Sequence, residues 1–213
     1  MSIDPLLLIS SAFGDHTRDS LNGAETLYYY IFEDHEDALN LAGGTTIDSS
    51  GHSGEEITFV ESIFLALDPL IGLDFERKLT RDETHLDIYC VDYVSTWEEA
   101  DLGEVFYQGS GSSSYWDLAW KDTNGSGSLI PNDKNTIIHE IGHVLGLSHP
   151  NEDPFNALWD TDDTVMSYVE SSDGWDFDWS VDDISALQQI WGVEQPIVDP
   201  AYATAVTNPF GIT

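Results

Sequence analysis

An α+β fold is what this sequence predicts, and three observations carry the prediction. Over residues 26–93, β-forming runs and one helical stripe follow in the order strand, helix, strand, strand, which opens a sheet with a crossover helix. A histidine-rich helix is expected at 135–145. A capped, amphipathic helix closes the pattern at 180–191.

Residues 1–24 mix polar residues and Gly with one short apolar patch, and read as a lead-in that wraps the surface. Residues 26–32 (Thr-Leu-Tyr-Tyr-Tyr-Ile-Phe) are rich in β-formers and predict a strand. Residues 33–51 are polar and Gly-containing, a loop. From 54 to 67, Ile57, Val60, Phe64 and Leu67 form a helical stripe continued by Ile71, with acidic residues in the first turn. That stripe is core packing rather than a site. Strands follow at 73–78 and 84–93, then a short one at 104–108, a Gly/Ser loop at 109–114, and one more strand at 115–120. Residues 121–128 form a turn-rich loop in which Asp122 and Asn124 offer oxygens to a calcium ion. The full ligand series of a calcium loop is not evident, so an ordinary loop is the expectation. After the metal helix comes a Pro/Asn/Asp-rich excursion to about residue 163. In the closing helix Ser180 caps, Asp183 completes a capping box, and Val181, Ile184, Leu187 and Trp191 make the buried stripe. Gly192 is its C-cap. Residues 196–213 have three prolines and no periodicity, and read as a tail or linker.

The chemistry is concentrated in residues 139–149, His-Glu-Ile-Gly-His-Val-Leu-Gly-Leu-Ser-His. His139 and His143 stand four apart, so a helix projects both from one face, where they can share a metal ion. Glu140 can reach a water on that metal without ligating it. Gly146 lets the backbone turn out of the helix, so that His149 can swing back as a third ligand. Three imidazoles leave one zinc position open, which marks a catalytic site rather than a structural one. With 7 His and 17 Gly in 213 residues, the five fixed positions recur by accident on the order of once in ten thousand such chains.

Composition bounds what surrounds that motif. Hydrophobic residues make up 41% of the chain and aromatics 12%, enough for a core and unlike an acidic disordered protein. Forty acidic residues oppose six basic ones, a formal net charge of -34. Such a surface repels nucleic acid and anionic membranes, so neither is an expected partner. The acidity is spread along the chain, which fits hydration and solubility better than a dedicated cation surface. Cys90 is the one cysteine and lies in an apolar strand, where a buried, inert thiol is expected. The patch Leu6-Leu7-Leu8-Ile9 is too short for a secretory signal core and has no basic residue before it.

Downstream stands Thr164-Val165-Met166-Ser167-Tyr168. With 139–149 it resembles the metzincin clan of zinc endopeptidases, in which a methionine turn runs under the metal. Pro150 after the third histidine, Ser148 before it and Tyr168 after Met166 resemble the serralysin family. So does the closing run from Asp183 to Gly192. The resemblance is specific over 135–192 and rests on element order alone over 26–134.

The resemblance implies a metzincin (zincin-like) fold: a twisted, mostly parallel sheet with an antiparallel edge strand, a crossover helix, a zinc helix and a C-terminal helix, with a cleft between upper and lower subdomains. The catalytic domain would span 25–195. It implies Zn2+ on His139, His143 and His149, and Glu140 as general base. Met166 would floor the site, and Tyr168 would ligate at rest and swing out to bind the tetrahedral intermediate. Glu104, Val105, Phe106, Tyr107 and Gln108 are the candidate edge strand for an extended substrate. Protein or peptide substrates, a proteinaceous inhibitor, a monomeric state and an extracellular location belong to the same implication. Three features depart from the family: a shorter stretch from His149 to Met166, Val169 after Tyr168, and no Gly-Gly-x-Gly-x-Asp calcium repeat. Two other readings stay open, a catalytically weak zinc-binding module on the same fold and an intracellular peptidase of narrow specificity.

Overall fold

The computed structural model describes residues 2–195, and the tail expected at 196–213 lies outside them. The lead-in is not a surface wrap. It contains helix α1 (Ser11–Leu21), whose Ser10 cap accepts from Phe13 N and which ends at Asn22 in the left-handed conformation. Ahead of it, Ile3 and Leu8 are buried at 1% and 0% exposure, so this segment is part of the core. Its polar face and sparse apolar residues hid the helix from a periodicity argument.

Strand β1 (Thr26–Ile31) alternates between half-buried and buried positions. The expected loop at 33–51 instead holds a ribbon of β2 (Glu36–Asn40) and β3 (Thr46–Ser49). β2 is almost entirely exposed and carries no apolar alternation, so only its pairing partners reveal it. Helix α2 (Gly54–Leu67) starts at a complete capping box of Ser53 and Glu56. Strands β4 (Asp74–Lys78), β5 (Leu86–Val94), β6 (Gly103–Gln108) and β7 (Tyr115–Trp120) follow. Helices α3 (Pro131–Val144) and α4 (Val181–Trp191) complete the fold. No helix among the described residues is long and apolar enough to cross a membrane.

β5 organises the sheet. Its first part pairs parallel with β1 and β7, and its end pairs antiparallel with β3. β1–β4 is a further parallel pair, while β2–β3 and β6–β7 are antiparallel. Among the described strands, parallel and antiparallel pairings are therefore equal in number, so the sheet is mixed rather than mostly parallel, through the ribbon that the polar 33–51 segment concealed. Six consecutive residues of β5 are buried because both faces are covered. Leu86, Ile88 and Cys90 enter the large core with the helices, while Tyr89 and Val91 join Phe32, Leu41 and Ile47 on the other side. Burial pushes the Cys90 thiol up to about 12, so it stays protonated.

Asp87 and Asp117 are register partners on β5 and β7, and both are buried. Arg81 and Thr84 hold Asp87 at 3.0 and 2.7 Å. Arg81 approaches Asp117 only to 3.9 Å, and neither Asp117 oxygen meets a partner in hydrogen-bond geometry. Burial first, then the Asp87 charge, pushes the Asp117 carboxyl up to about 7. The folded chain thus holds this proton more tightly than the unfolded chain, so the contribution is complete at low pH and is lost as pH rises through 7. Asp117→Asn should stabilise the protein more at pH 8 than at pH 5, by on the order of 2 kcal/mol in urea unfolding. A gain independent of pH would contradict the account.

Candidate metal centre

α3 starts with Pro131 in its first turn, where the missing N–H is harmless. One turn apart near its end, His139 and His143 point into the protein and are 2% and 7% exposed. The helix ends as Leu145 and Gly146 donate to the carbonyls of Ile141 and His143. Gly146 has φ 101°, and a Cβ there would also meet Gly14 Cα at 3.2 Å, so the turn needs glycine twice over. Past it, Ser148 N donates to Leu8 O at 2.7 Å and Ser10 N to Gly146 O at 2.9 Å. The N-terminal segment therefore straps the turn that delivers His149. Thr17 of α1 donates to Val144 O and accepts from Trp116 Nε1, and Phe13 packs on the His143 ring at 4.9 Å.

One nitrogen from each of the three histidines falls in a group whose members all lie within 4.8 Å of one another. His139 Nε2 and His149 Nε2 are 3.3 Å apart. His139 Nδ1 sits 2.8 Å from Val165 O, and His143 Nδ1 2.9 Å from Leu147 O. A carbonyl only accepts, so each Nδ1 carries the hydrogen and each Nε2 of this pair presents a lone pair. Burial, then the neighbouring imidazoles, pulls His139 well below the ordinary histidine range. Burial takes His143 down to about 4. Three converging imidazoles, two of them with outer nitrogens held by backbone carbonyls, are a donor set that fits a zinc-type site.

Glu140 is 4% exposed, and burial, then the charge of Glu104, pushes its carboxyl up to about 8. It lines a cavity of about 310 Å³ together with His139, Tyr168, Asp101, Phe155 and Trp175. The Tyr168 ring lies 5.0 Å from those of both His139 and His149, with its side 40% exposed. Burial first, then the Glu140 charge, pushes its phenol up to about 12. Met166 is fully buried, and its sulfur would stand 2.6 Å from a Cβ on Gly142. Gly142 thus lets the methionine reach the helix between the two histidines. β6, with Glu104 to Gln108, pairs only with β7 and leaves its other edge free among the described residues. Within it Gln108 is buried, and Trp97 Nε1 donates to Glu104 at 2.7 Å.

Three supporting residues had no clear signal in the sequence. A Cβ on Gly103 would come within 2.8 Å of Glu140 Oε1, so the start of β6 presses against that carboxyl. Gly142 lies inside a motif where any residue was allowed. Asp183 was legible only as a helix cap. Its buried carboxylate also accepts from Thr164 Oγ1 at 2.5 Å and Val165 N at 3.2 Å, holding the carbonyl that His139 Nδ1 contacts.

No family model matches this chain. Serralysin C of Dickeya chrysanthemi is 35% identical to it over 108 residues, which cover 40% of this chain. The match takes in 21% of that protein, so the chain spans about a fifth of the length of the relative. Among solved structures, a chain of the GM1-bound form of the ECX AB5 holotoxin is similar with a TM-score of 0.48 and 14% identity, over 91% of this chain and 90% of that one. A score that low carries no argument about fold or function. The chain is therefore similar in part to a serralysin, and it brings together three histidines that could hold a metal.

If Asp183 positions His139 through the Thr164–Val165 backbone, Asp183→Asn should weaken zinc binding about 10-fold in a chelator competition. Unchanged affinity in a folded variant would remove Asp183 from that role.

Proposed function

We propose that the chain is a zinc-dependent endopeptidase, a serralysin-like member of the metzincin clan. The observation that carries this reading is the buried Glu140 carboxyl, which opens onto one cavity with His139 and Tyr168 beside three converging imidazoles. The partial similarity to a serralysin supports it. On this reading the sheet, α2 and α3 form the upper subdomain, the segment from Pro150 to α4 forms the lower one, and the cavity is the cleft between them.

His139, His143 and His149 would hold the ion, and Tyr168 would complete the set at rest. Zinc, when bound, supplies a Lewis acid and lowers the pKa of water. In its ionised form, which a cation on the histidines would favour against the effect of burial, Glu140 accepts the proton of the attacking water and returns it to the amine nitrogen as the peptide C–N bond breaks. Its burial beside Gly103 holds the carboxyl in one position, so little reorganisation accompanies proton transfer. Burial keeps the Tyr168 phenol protonated, so it can donate a hydrogen bond to the oxyanion that develops on the scissile carbonyl. The free edge of β6 would take an extended substrate as an added antiparallel strand. Met166 under the histidines keeps the floor dry.

Metal analysis beside a casein-cleavage assay tests the proposal. The parent chain should carry one zinc and cleave casein, and Glu140→Ala should keep the zinc but lose about 10²–10⁴-fold in rate. Full activity in that variant would overturn the assignment of the base, and zinc without cleavage in the parent would leave only a binding module. Gly103→Ala should retain zinc but cut kcat/KM about 10–100-fold, because its Cβ displaces the Glu140 carboxyl. Unaltered kinetics would mean that the carboxyl position does not matter.

A further inference from the structure

Between β7 and α3 the chain curls into a tight loop over residues 122–128. Asp122 Oδ1 accepts from Asn124 N and Gly125 N at 3.2 and 3.0 Å, and its Oδ2 accepts from Gly127 N at 2.8 Å. Asn124 Oδ1 accepts from Ser126 N at 2.9 Å, and its Nδ2 donates to Ser128 O at 2.7 Å. Such turns form without any ion. Asp133 is different. It is fully buried in the first turn of α3, and its Oδ1 accepts from Thr123 Oγ1 at 2.6 Å, so the carboxyl reaches back into the loop. Its Oδ2 is buried with no hydrogen-bond partner. A favourable interaction with the helix start explains an acid at this position, yet it leaves that oxygen unpaired at a cost.

A second buried acid stands beside the loop. Glu56 is 1% exposed and accepts from Ser53 N, while Ser53 Oγ donates to Gly127 O at 2.6 Å. Burial raises the Asp133 and Glu56 carboxyls, and the Asp122 charge raises both further. A cavity of about 420 Å³, lined in part by Glu56, Asp92, Asp122 and Gly127, opens here. In sequence, Asp122, Asn124, Ser126 and Asp133 occupy positions 1, 3, 5 and 12 of a twelve-residue stretch with Gly127 at 6, the spacing of an EF-hand-type calcium loop. Asp122 and Asn124 alone offer too few oxygens, and the fold adds the buried one from Asp133.

We propose that residues 122–133 bind one Ca2+ through side-chain oxygens of Asp122, Asn124, Ser126 and Asp133, and that the ion pins the start of the helix carrying His139 and His143. The hard oxygen donors suit calcium, and Mg2+ needs a stricter octahedron than this loop offers. Ser126 is a weaker donor than a carboxylate, and Asp133 is shorter than the usual Glu. The affinity therefore belongs at the weak end, with Kd about 10⁻⁴–10⁻³ M.

The test uses the full, zinc-loaded chain and reads thermal unfolding with CaCl2 or MgCl2 at equal ionic strength. Ca2+ at about a hundredfold its Kd should raise the Tm by about 5–10 °C, and Mg2+ should not. The calcium shift should disappear in Asp133→Asn and in Asn124→Ala, and persist in Asp19→Asn, an exposed acid on α1 with the same change of charge. Terbium luminescence excited through tryptophan should saturate at one ion per chain and be displaced by Ca2+ in the parent alone. Equal shifts from both salts, or a calcium shift that survives in the loop variants, would mean general screening of the acidic surface and overturn the proposal. Should Asp133→Asn fail to fold, the exposed Asn124→Ala decides by the same criterion.

Discussion

Three histidine rings converge where His139 is almost fully buried, and His139 Nε2 and His149 Nε2 lie 3.3 Å apart. Burial makes a charged imidazole costly there, so His139 stays neutral. Neutral rings that present nitrogen to a common point can share a cation without that cost. The backbone holds the arrangement ready, because the carbonyls of Val165 and Leu147 fix which nitrogen of His139 and His143 carries hydrogen. The surrounding structure then serves to keep those two carbonyls in place.

Each carbonyl has its own support. Leu147 lies in the turn at Gly146, which Leu8 and Ser10 strap from outside through backbone hydrogen bonds. Val165 is held by Asp183, which at the same time caps α4. Asp182 beside it accepts from Ile3 N at 2.6 Å, so the N-terminal segment and α4 brace one another. Glycines at 103 and 142 add a complementary constraint: Gly103 leaves room for the Glu140 carboxyl against the start of β6, and Gly142 lets Met166 press against α3.

A chain with forty acids and six bases has few cations for its buried carboxylates, and Arg81 pairs with Asp87. Other buried acids use backbone N–H groups at helix starts. Glu56 and Asp183 each close a capping box, where the helix dipole and the freed N–H groups favour an anion. Asp117 and Asp133 keep buried oxygens without partners, and they are the places where a proton or a cation has most to gain.

Long, strongly patterned segments were legible in the residues. α2 has an apolar stripe with an acidic first turn, α4 an apolar stripe with a capping box, and β1 and β5 are runs of β-formers. α1 and the β2–β3 ribbon were not, because their faces are polar and their burial or pairing comes from distant partners: α3 for α1, and the end of β5 for β3. By itself the sequence determined the local chemistry at the centre, since two histidines four apart on a helix must share a face and a glycine must free the turn behind them. Only the tertiary structure decided what orients and supports that chemistry. Val165, Leu147, Asp183, Gly103 and the strap at Leu8 act through contacts between segments far apart in the chain, and such contacts leave no periodicity for a sequence to display.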